Sequence, residues 1–298
     1  MELKGFVLKC IGGFYTVETD EGRFVCRARG RFRKEGVSPC AGDQVAITTA
    51  PDGTGALTEI LPRRSHLVRP PLANLERLFI VASLQEPAPH MLLIDKTVAV
   101  AELNGIEPVV VFTKADLGAP EELLGAYRLA KISCCAVCAR TGQGVDHIRA
   151  LAMGKVSAFI GNSGVGKSTL LNAAFPDLQL KTGEISQKLG RGRHTTREVA
   201  FFPLEAGGYV ADTPGFSTFD IEKYRLTDKE QLIHGFREME ALAETCRFSS
   251  CSHTCEKGCA VLRAVDEGNV ARSRLESYTA MYQEIKDVKQ WEQKSKLV

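Results

Sequence analysis

The stretch Gly161-Asn162-Ser163-Gly164-Val165-Gly166-Lys167-Ser168-Thr169 constrains this chain more tightly than any other part of it. It fits the pattern G-x-x-x-x-G-K-[ST], follows the apolar run 156–160 and precedes a helix-like segment over 170–174. A strand, a glycine-rich curl and a helix in that order turn backbone N–H groups and a helix N-terminus toward a phosphate chain. Lys167 then reaches the β and γ oxygens, and the Ser168 hydroxyl is offered to magnesium.

The surroundings of this loop set the architecture. Apolar runs at 78–82, 109–112, 156–160 and 209–211 alternate with helical stretches, which predicts a mainly parallel α/β domain. Residues 1–66 read differently. Short strand-like runs at 5–10, 14–19, 23–28, 43–48 and 56–60 are separated by Gly12-Gly13, Glu21-Gly22, Gly42 and Asp52-Gly53, the pattern of a small β-barrel. Beyond residue 220 the chain is polar and helical around a group of cysteines. Its last helix places Leu275, Tyr278, Tyr282 and Ile285 on one face for packing. A length of 298 residues suits three units, here divided as 1–66, 67–220 and 221–298.

Two further motifs belong with the phosphate loop. Asp212-Thr213-Pro214-Gly215 follows the run ending at Ala211, so Asp212 stands at a strand end, able to hold magnesium through water, and Gly215 can point its N–H at a γ-phosphate. Between the two lies Gly190-Arg191-Gly192-Arg193-His194-Thr195-Thr196-Arg197, a polar segment without strand or helix period. A threonine here, Thr195 or Thr196, can close on magnesium and the γ-phosphate when a triphosphate is bound.

The base is selected earlier in the chain. Thr113-Lys114-Ala115-Asp116 follows 109–112 and resembles [NT]-K-x-D; a carboxylate at Asp116 accepts from both N1–H and the exocyclic amine of guanine, a donor pair that adenine lacks. Threonine in place of asparagine predicts a looser tether to the phosphate loop. Cys138-Ala139-Arg140-Thr141-Gly142-Gln143-Gly144 resembles the S-A-x-T-G-x-G segment that covers the base, with Cys138 at the serine position. The base motifs thus precede the phosphate motifs, the reverse of the ordinary order. Joining the old termini and opening the chain after Gly215 leaves such a sheet intact, because termini lie at the surface. The opening ties the γ-phosphate-sensing loop directly to the C-terminal unit.

The rotated motifs, the N-terminal barrel and the C-terminal cysteines together resemble the ribosome small subunit-dependent GTPase A (RsgA/YjeQ) family over nearly the whole chain. The resemblance implies an OB-fold, a circularly permuted GTPase domain and a zinc domain, acting in late maturation of the small ribosomal subunit. It also implies a catalytic role for His194, since the family carries G-R-H-T-T in this loop. Phe216 stands where a Ras-like enzyme orients water with glutamine, so intrinsic turnover is expected to be slow and raised by the ribosomal partner.

Cys246-x4-Cys251-x-His253-x5-Cys259 offers three thiolates and an imidazole, the set structural zinc prefers, with Cys255 as an extra thiol able to compete for a place. Cys134 and Cys135, with nearby Cys138, sit in a strand-like stretch and are expected to pack in a core. The ten cysteines are read as reduced thiols or metal ligands rather than disulfides. Arg27, Arg29, Arg31 and Arg33 alternate through 26–34, which on a strand would form one phosphate-binding stripe for RNA, with Phe32 available for stacking. A local stripe is required because the net charge is only +2. The N-terminal residues lack a signal-like apolar core and no run is long enough to span a bilayer, so a cytoplasmic location is expected. With no self-complementary surface evident, so is a monomer.

Overall fold

The computed structural model describes residues 2–28, 30, 32, 36–50, 54–178, 199–213 and 229–287. Five strands, β1 (Glu2–Ile11), β2 (Phe14–Thr19), β3 (Gly22–Ala28), β4 (Gln44–Thr49) and β5 (Thr54–Ile60), run in spatial order β1-β2-β3-β5-β4, and a further β1–β4 pairing closes them into a barrel. Alternation decides what fills it: Val7, Val17, Cys26, Val45, Ile47 and Leu57 point inward and are buried. β3 ends at Ala28, so the alternating arginine pattern continues past the strand that was to display it.

A short hairpin, β6 (His66–Val68) and β7 (Pro71–Ala73), leads into the second unit. Here β8 (Arg77–Ser83), β9 (Glu107–Thr113), β10 (Ser133–Ala136), β11 (Val156–Gly161) and β13 (Tyr209–Asp212) are parallel, in order β10-β9-β8-β11-β13, while β12 (Ala200–Pro203) adds antiparallel to β13. Helices α1 (Met91–Leu103), α2 (Glu121–Leu129), α3 (Val145–Ala152) and α4 (Lys167–Ala174) cover the sheet. Strand β11 lies at its centre, with β12 and β13 on one side and β8 to β10 on the other. If β8 to β10 followed β13 in the chain, the same sheet would result, which is the structural content of the permutation. The carboxyl ends of β9, β11 and β13 open on one rim, the place where α/β sheets bind ligands.

The barrel joins this sheet edge to edge: β1 pairs with β12 at Lys9 and Ala200, and the Phe6 ring stacks on Tyr209 at 4.1 Å between centroids. The third unit contains α5 (Arg237–Ala243), α6 (Ala260–Asp266) and α7 (Arg272–Ile285). Tyr278 and Ile285 of α7 are buried, as the apolar face predicts, and Leu275 and Tyr282 are half-buried against the same core. Arg274 is also fully buried on this helix, where it binds Asp95 of α1 at 2.7 Å and Glu238 of α5 at 2.7 Å. Tyr127 donates to the same Asp95 at 2.9 Å. Burial alone would favour neutral guanidine, but Asp95 and Glu238 outweigh it and raise the Arg274 pKa. One buried cation thus pins the third unit to the flank of the sheet.

Candidate functional site: a nucleotide cradle, a metal centre and a basic barrel face

The phosphate loop leaves β11 at Gly161, where a side chain has no room: a Cβ would stand 2.3 Å from the Val81 carbonyl oxygen on β8. Gly166 takes φ +86°, a left-handed conformation open to glycine, and so turns the chain into α4. Between them Asn162 is half-buried, Ser163 and Gly164 are exposed, and Val165 is buried against the sheet. Lys167 starts α4 and is buried; its ammonium meets the Asp212 carboxylate and the Thr213 carbonyl at the end of β13. Ser168 follows half-buried, and Thr169 is exposed. The Thr213 hydroxyl donates to Phe159 O at 2.7 Å, which fixes this strand end against β11. Arg149 of α3 donates to Ala174 O at 2.8 Å, satisfying a terminal carbonyl at the far end of α4.

Thr113 ends β9 beside this loop. Its hydroxyl lies against the Val165 carbonyl and is 3.2 Å from Ala82 O. The tether expected to be looser with threonine is made by its hydroxyl, which reaches the phosphate loop because β9 and β11 carry the two loops to the same rim. Lys114 adopts φ 57° and extends its ammonium to the Gln85 and Glu86 carbonyls. Asp116 sits in the turn Ala115–Leu117, and its Oδ1 accepts from the Cys138 thiol at 3.2 Å. Its Oδ2 accepts from Arg140 Nη2 at 2.8 Å. Foremost the Cys138 hydrogen bond, then a backbone N–H of its own turn, hold the carboxyl below the usual range; the Arg140 charge adds to this and burial opposes it. Ala115 N donates to Val137 O at 3.1 Å, and Cys138 N donates to Gln143 O at 2.9 Å, so the two base loops form one backbone unit with half-buried Ala139 at its bend. Cys138 packs as expected of an apolar thiol but also faces the carboxylate, in the position where the motif has serine.

The cysteine group closes as spacing predicts. Ligand atoms of Cys246, Cys251, His253 and Cys259 all lie within 4.8 Å of one another. Tetrahedral zinc with Zn–S about 2.3 Å and Zn–N about 2.0 Å requires S···S near 3.8 Å and S···N near 3.5 Å. Cys246 Sγ is 3.9 Å from Cys259 Sγ, and His253 Nδ1 is 3.5 and 3.6 Å from these two sulfurs. The residues fit zinc. Burial lowers the His253 pKa and favours the neutral imidazole that a metal needs. Glu256 accepts from the backbone of Ser252, Thr254 and Cys255 and thereby shapes the loop. Cys255 is exposed and outside the four-atom group, so it does not compete among the described residues.

On the barrel, Arg27 lies exposed on the outer face of β3 with its guanidinium 4.6 Å from the centre of the Phe14 ring. Phe14 is 42% exposed, and Lys9, Ile11 and Val25 share the face. Phe32 is 5% exposed in the barrel core, so the expectation that it stacks on bases is corrected. Phe14 occupies the exposed aromatic position instead; the Phe14 and Arg27 pairing across β2 and β3 is the signal that could have found it. Arg29, Arg31 and Arg33 lie outside the described residues, as do His194, Thr195, Thr196, Pro214, Gly215 and Phe216. No helix among the described residues is long and apolar enough to cross a membrane.

Comparisons with known proteins agree with this geometry. The RsgA GTPase family model matches residues 60–222 and the RsgA N-terminal domain model residues 4–57. A model described as 50S ribosome-binding GTPase matches 156–295. The chain is 44% identical over 288 residues to the small ribosomal subunit biogenesis GTPase RsgA of Caldanaerobacter subterraneus subsp. tengcongensis, covering 96% of each. It is 43% identical to the protein of the same name from Moorella thermoacetica, covering 95% of this chain and 97% of that one. The crystal structure of YjeQ from Thermotoga maritima superposes with a TM-score of 0.80 at 32% identity, covering 97% of this chain and all of that one. That of YloQ, a circularly permuted GTPase, gives 0.78 at 31% identity, with 97% and 96% covered. With residues 113–116, residues 161–169 and Asp212 on one rim of a permuted sheet, and with such likeness end to end, this chain belongs to the RsgA family of circularly permuted GTPases.

Proposed function

We propose that the chain binds the small ribosomal subunit, is stimulated by it, and assists its late maturation by hydrolysing GTP to GDP and phosphate in the cytoplasm. The observation that carries this reading is the Thr113 link to Val165, which makes guanine loop and phosphate loop one cradle. The relatives that align end to end are named for small-subunit biogenesis.

In this reading the Asp116 carboxylate takes N1–H and the amine of guanine, with Thr113, Lys114, Cys138 and Ala139 shaping the base site. Residues 161–169 wrap the phosphates, and Lys167 leaves Asp212 for the β and γ oxygens. Ser168 and Asp212 would hold magnesium, which neutralises charge on the transferred phosphoryl group. Thr195, Thr196 and Gly215 face the γ-phosphate, and His194 positions the attacking water once the ribosomal partner orders its loop. Slow intrinsic turnover follows from Phe216, which has no group to orient water. Zinc on Cys246, Cys251, His253 and Cys259 is structural, because all four positions are protein ligands. The barrel presents Arg27, Arg29, Arg31 and Arg33 to ribosomal RNA, with Phe14 as the stacking surface. The protein acts as a monomer of three units, 1–66, 67–220 and 221–298.

Co-sedimentation with purified small and large ribosomal subunits, in a non-hydrolysable GTP analogue and in GDP, tests the partner. Small-subunit binding that is stronger with the GTP analogue supports the reading. Preference for the large subunit would instead favour the reading suggested by the 50S-type model match over 156–295.

A further inference from the structure

A carboxylate has about four acceptor sites, two on each oxygen. At Asp116 the protein uses one on each: the Cys138 thiol donates to Oδ1 at 3.2 Å and Arg140 Nη2 to Oδ2 at 2.8 Å. A backbone N–H of its own turn also supports the carboxylate, so the acceptor capacity left for a base lies on the sides away from Cys138 and Arg140. Guanine brings two adjacent donors, N1–H and the exocyclic amine. The two supporting groups differ in rigidity. Cys138 is buried, and its backbone is locked by hydrogen bonds to Gln143 and Gly142. The side chain of Arg140, two residues on in the turn between Cys138 and Gln143, is 79% exposed, so it reaches Asp116 from the solvent side.

We propose that Arg140 is a specificity-determining positioning residue of the base site, which together with Cys138 holds the Asp116 carboxylate so that one acceptor site on each oxygen faces guanine. The inference rests on the reading of 113–116 as the guanine loop and adds a residue outside that motif. Without Arg140, only the Oδ1 side stays fixed by Cys138, and the carboxylate can turn about its terminal bond. The Oδ2 acceptor site then loses its aim. A base that needs both oxygens suffers more than one that needs a single oxygen. Inosine, which lacks the exocyclic amine, is such a base. The effect of Arg140 is therefore on discrimination as well as on affinity.

The test is equilibrium binding of GDP, IDP and ADP to the full chain, with Arg140→Ala, Arg140→Lys and Asp116→Asn compared with the wild type. Arg140→Ala is expected to weaken GDP about three- to fivefold, the upper range for an exposed ion pair, and IDP less than about twofold, and so to narrow the GDP to IDP ratio. Arg140→Lys, a single-point donor, should recover part of that ratio. The acid limb of GDP binding supplies a readout that general loosening of the loop would not move. Loss of the Arg140 charge should shift that limb to higher pH, because the carboxylate is then less well held in its ionised form. Unchanged GDP and IDP affinities in Arg140→Ala overturn the proposal, and so does tighter GDP binding, which would make Arg140 a plug that guanine must displace. Asp116→Asn tests the underlying reading separately. Its amide donates to the 2-oxo group of xanthine, so it should lose GDP and gain XDP. If Asp116→Asn switches in this way while Arg140→Ala has no effect, the guanine loop stands and only the role of Arg140 falls. If Asp116→Asn leaves GDP binding unchanged, the guanine reading itself is wrong and the role of Arg140 falls with it.

Discussion

The nucleotide cradle and the cysteine knuckle both gather polar groups from a short motif, yet they stand in opposite relation to the fold. The cradle is held by the sheet. Gly161 can approach Val81, Thr113 can reach Val165 and Lys167 can meet Asp212 because β8, β9, β11 and β13 end on one rim. Among the described residues the knuckle is carried by helices and turns rather than by strand ends. Its four ligands lie between the short helices α5 and α6, with α7 reached only through contacts such as Tyr278 OH to Ser252 O at 3.2 Å. The geometry of the cradle is therefore a product of the fold, while the four ligands of the knuckle converge as a zinc site would require.

That difference gives a ranked set of perturbations. The largest effect is expected from metal removal or Cys246→Ala: structural zinc contributes on the order of 10 kcal/mol or more to domains of this kind. Thermal unfolding should then show an early transition of the third unit, while GDP binding by the cradle persists. Loss of GDP binding in step with zinc would break the proposed separation. Next comes Arg274→Met, which leaves Asp95 and Glu238 buried without their cation, a loss of about 3–5 kcal/mol in denaturant unfolding. Lys167→Ala should spare the melting temperature and weaken GTP by about 1.5–3 kcal/mol, the range for hydrogen bonds to charged groups. Calorimetry with GTP and GDP checks both halves of that statement. Thr113→Val keeps the volume but removes the hydroxyl that ties the two loops, and about 1 kcal/mol is expected, read as a severalfold faster GDP release.

The same contrast explains what could be read from the sequence. The phosphate loop and the zinc ligands are contiguous or nearly so, and their spacing is itself the geometry. The barrel strands and the parallel runs were legible because alternation and apolar runs are local. What depends on distant partners was not. Arg274 looks like one charge among many on a polar helix, and its burial follows from Asp95, 179 positions away. For Thr113, composition gives the length of a side chain but not the gap it spans to Val165. Phe32 lies four residues past the end of β3 at Ala28, where alternation along that strand carries no information about the barrel core that buries it. Cys138 was legible as a substitute for serine, but its bond to Asp116 and the Arg140 contact required the two base loops to be brought together.

The most direct test of the account is phosphate release from GTP and from ATP, with and without purified small ribosomal subunits, using Lys167→Ala as the background. Slow, GTP-selective turnover that small subunits raise strongly is the predicted result, and His194→Ala should then abolish the stimulated part. Turnover that stays unchanged when subunits are bound, or that does not distinguish GTP from ATP, would contradict it.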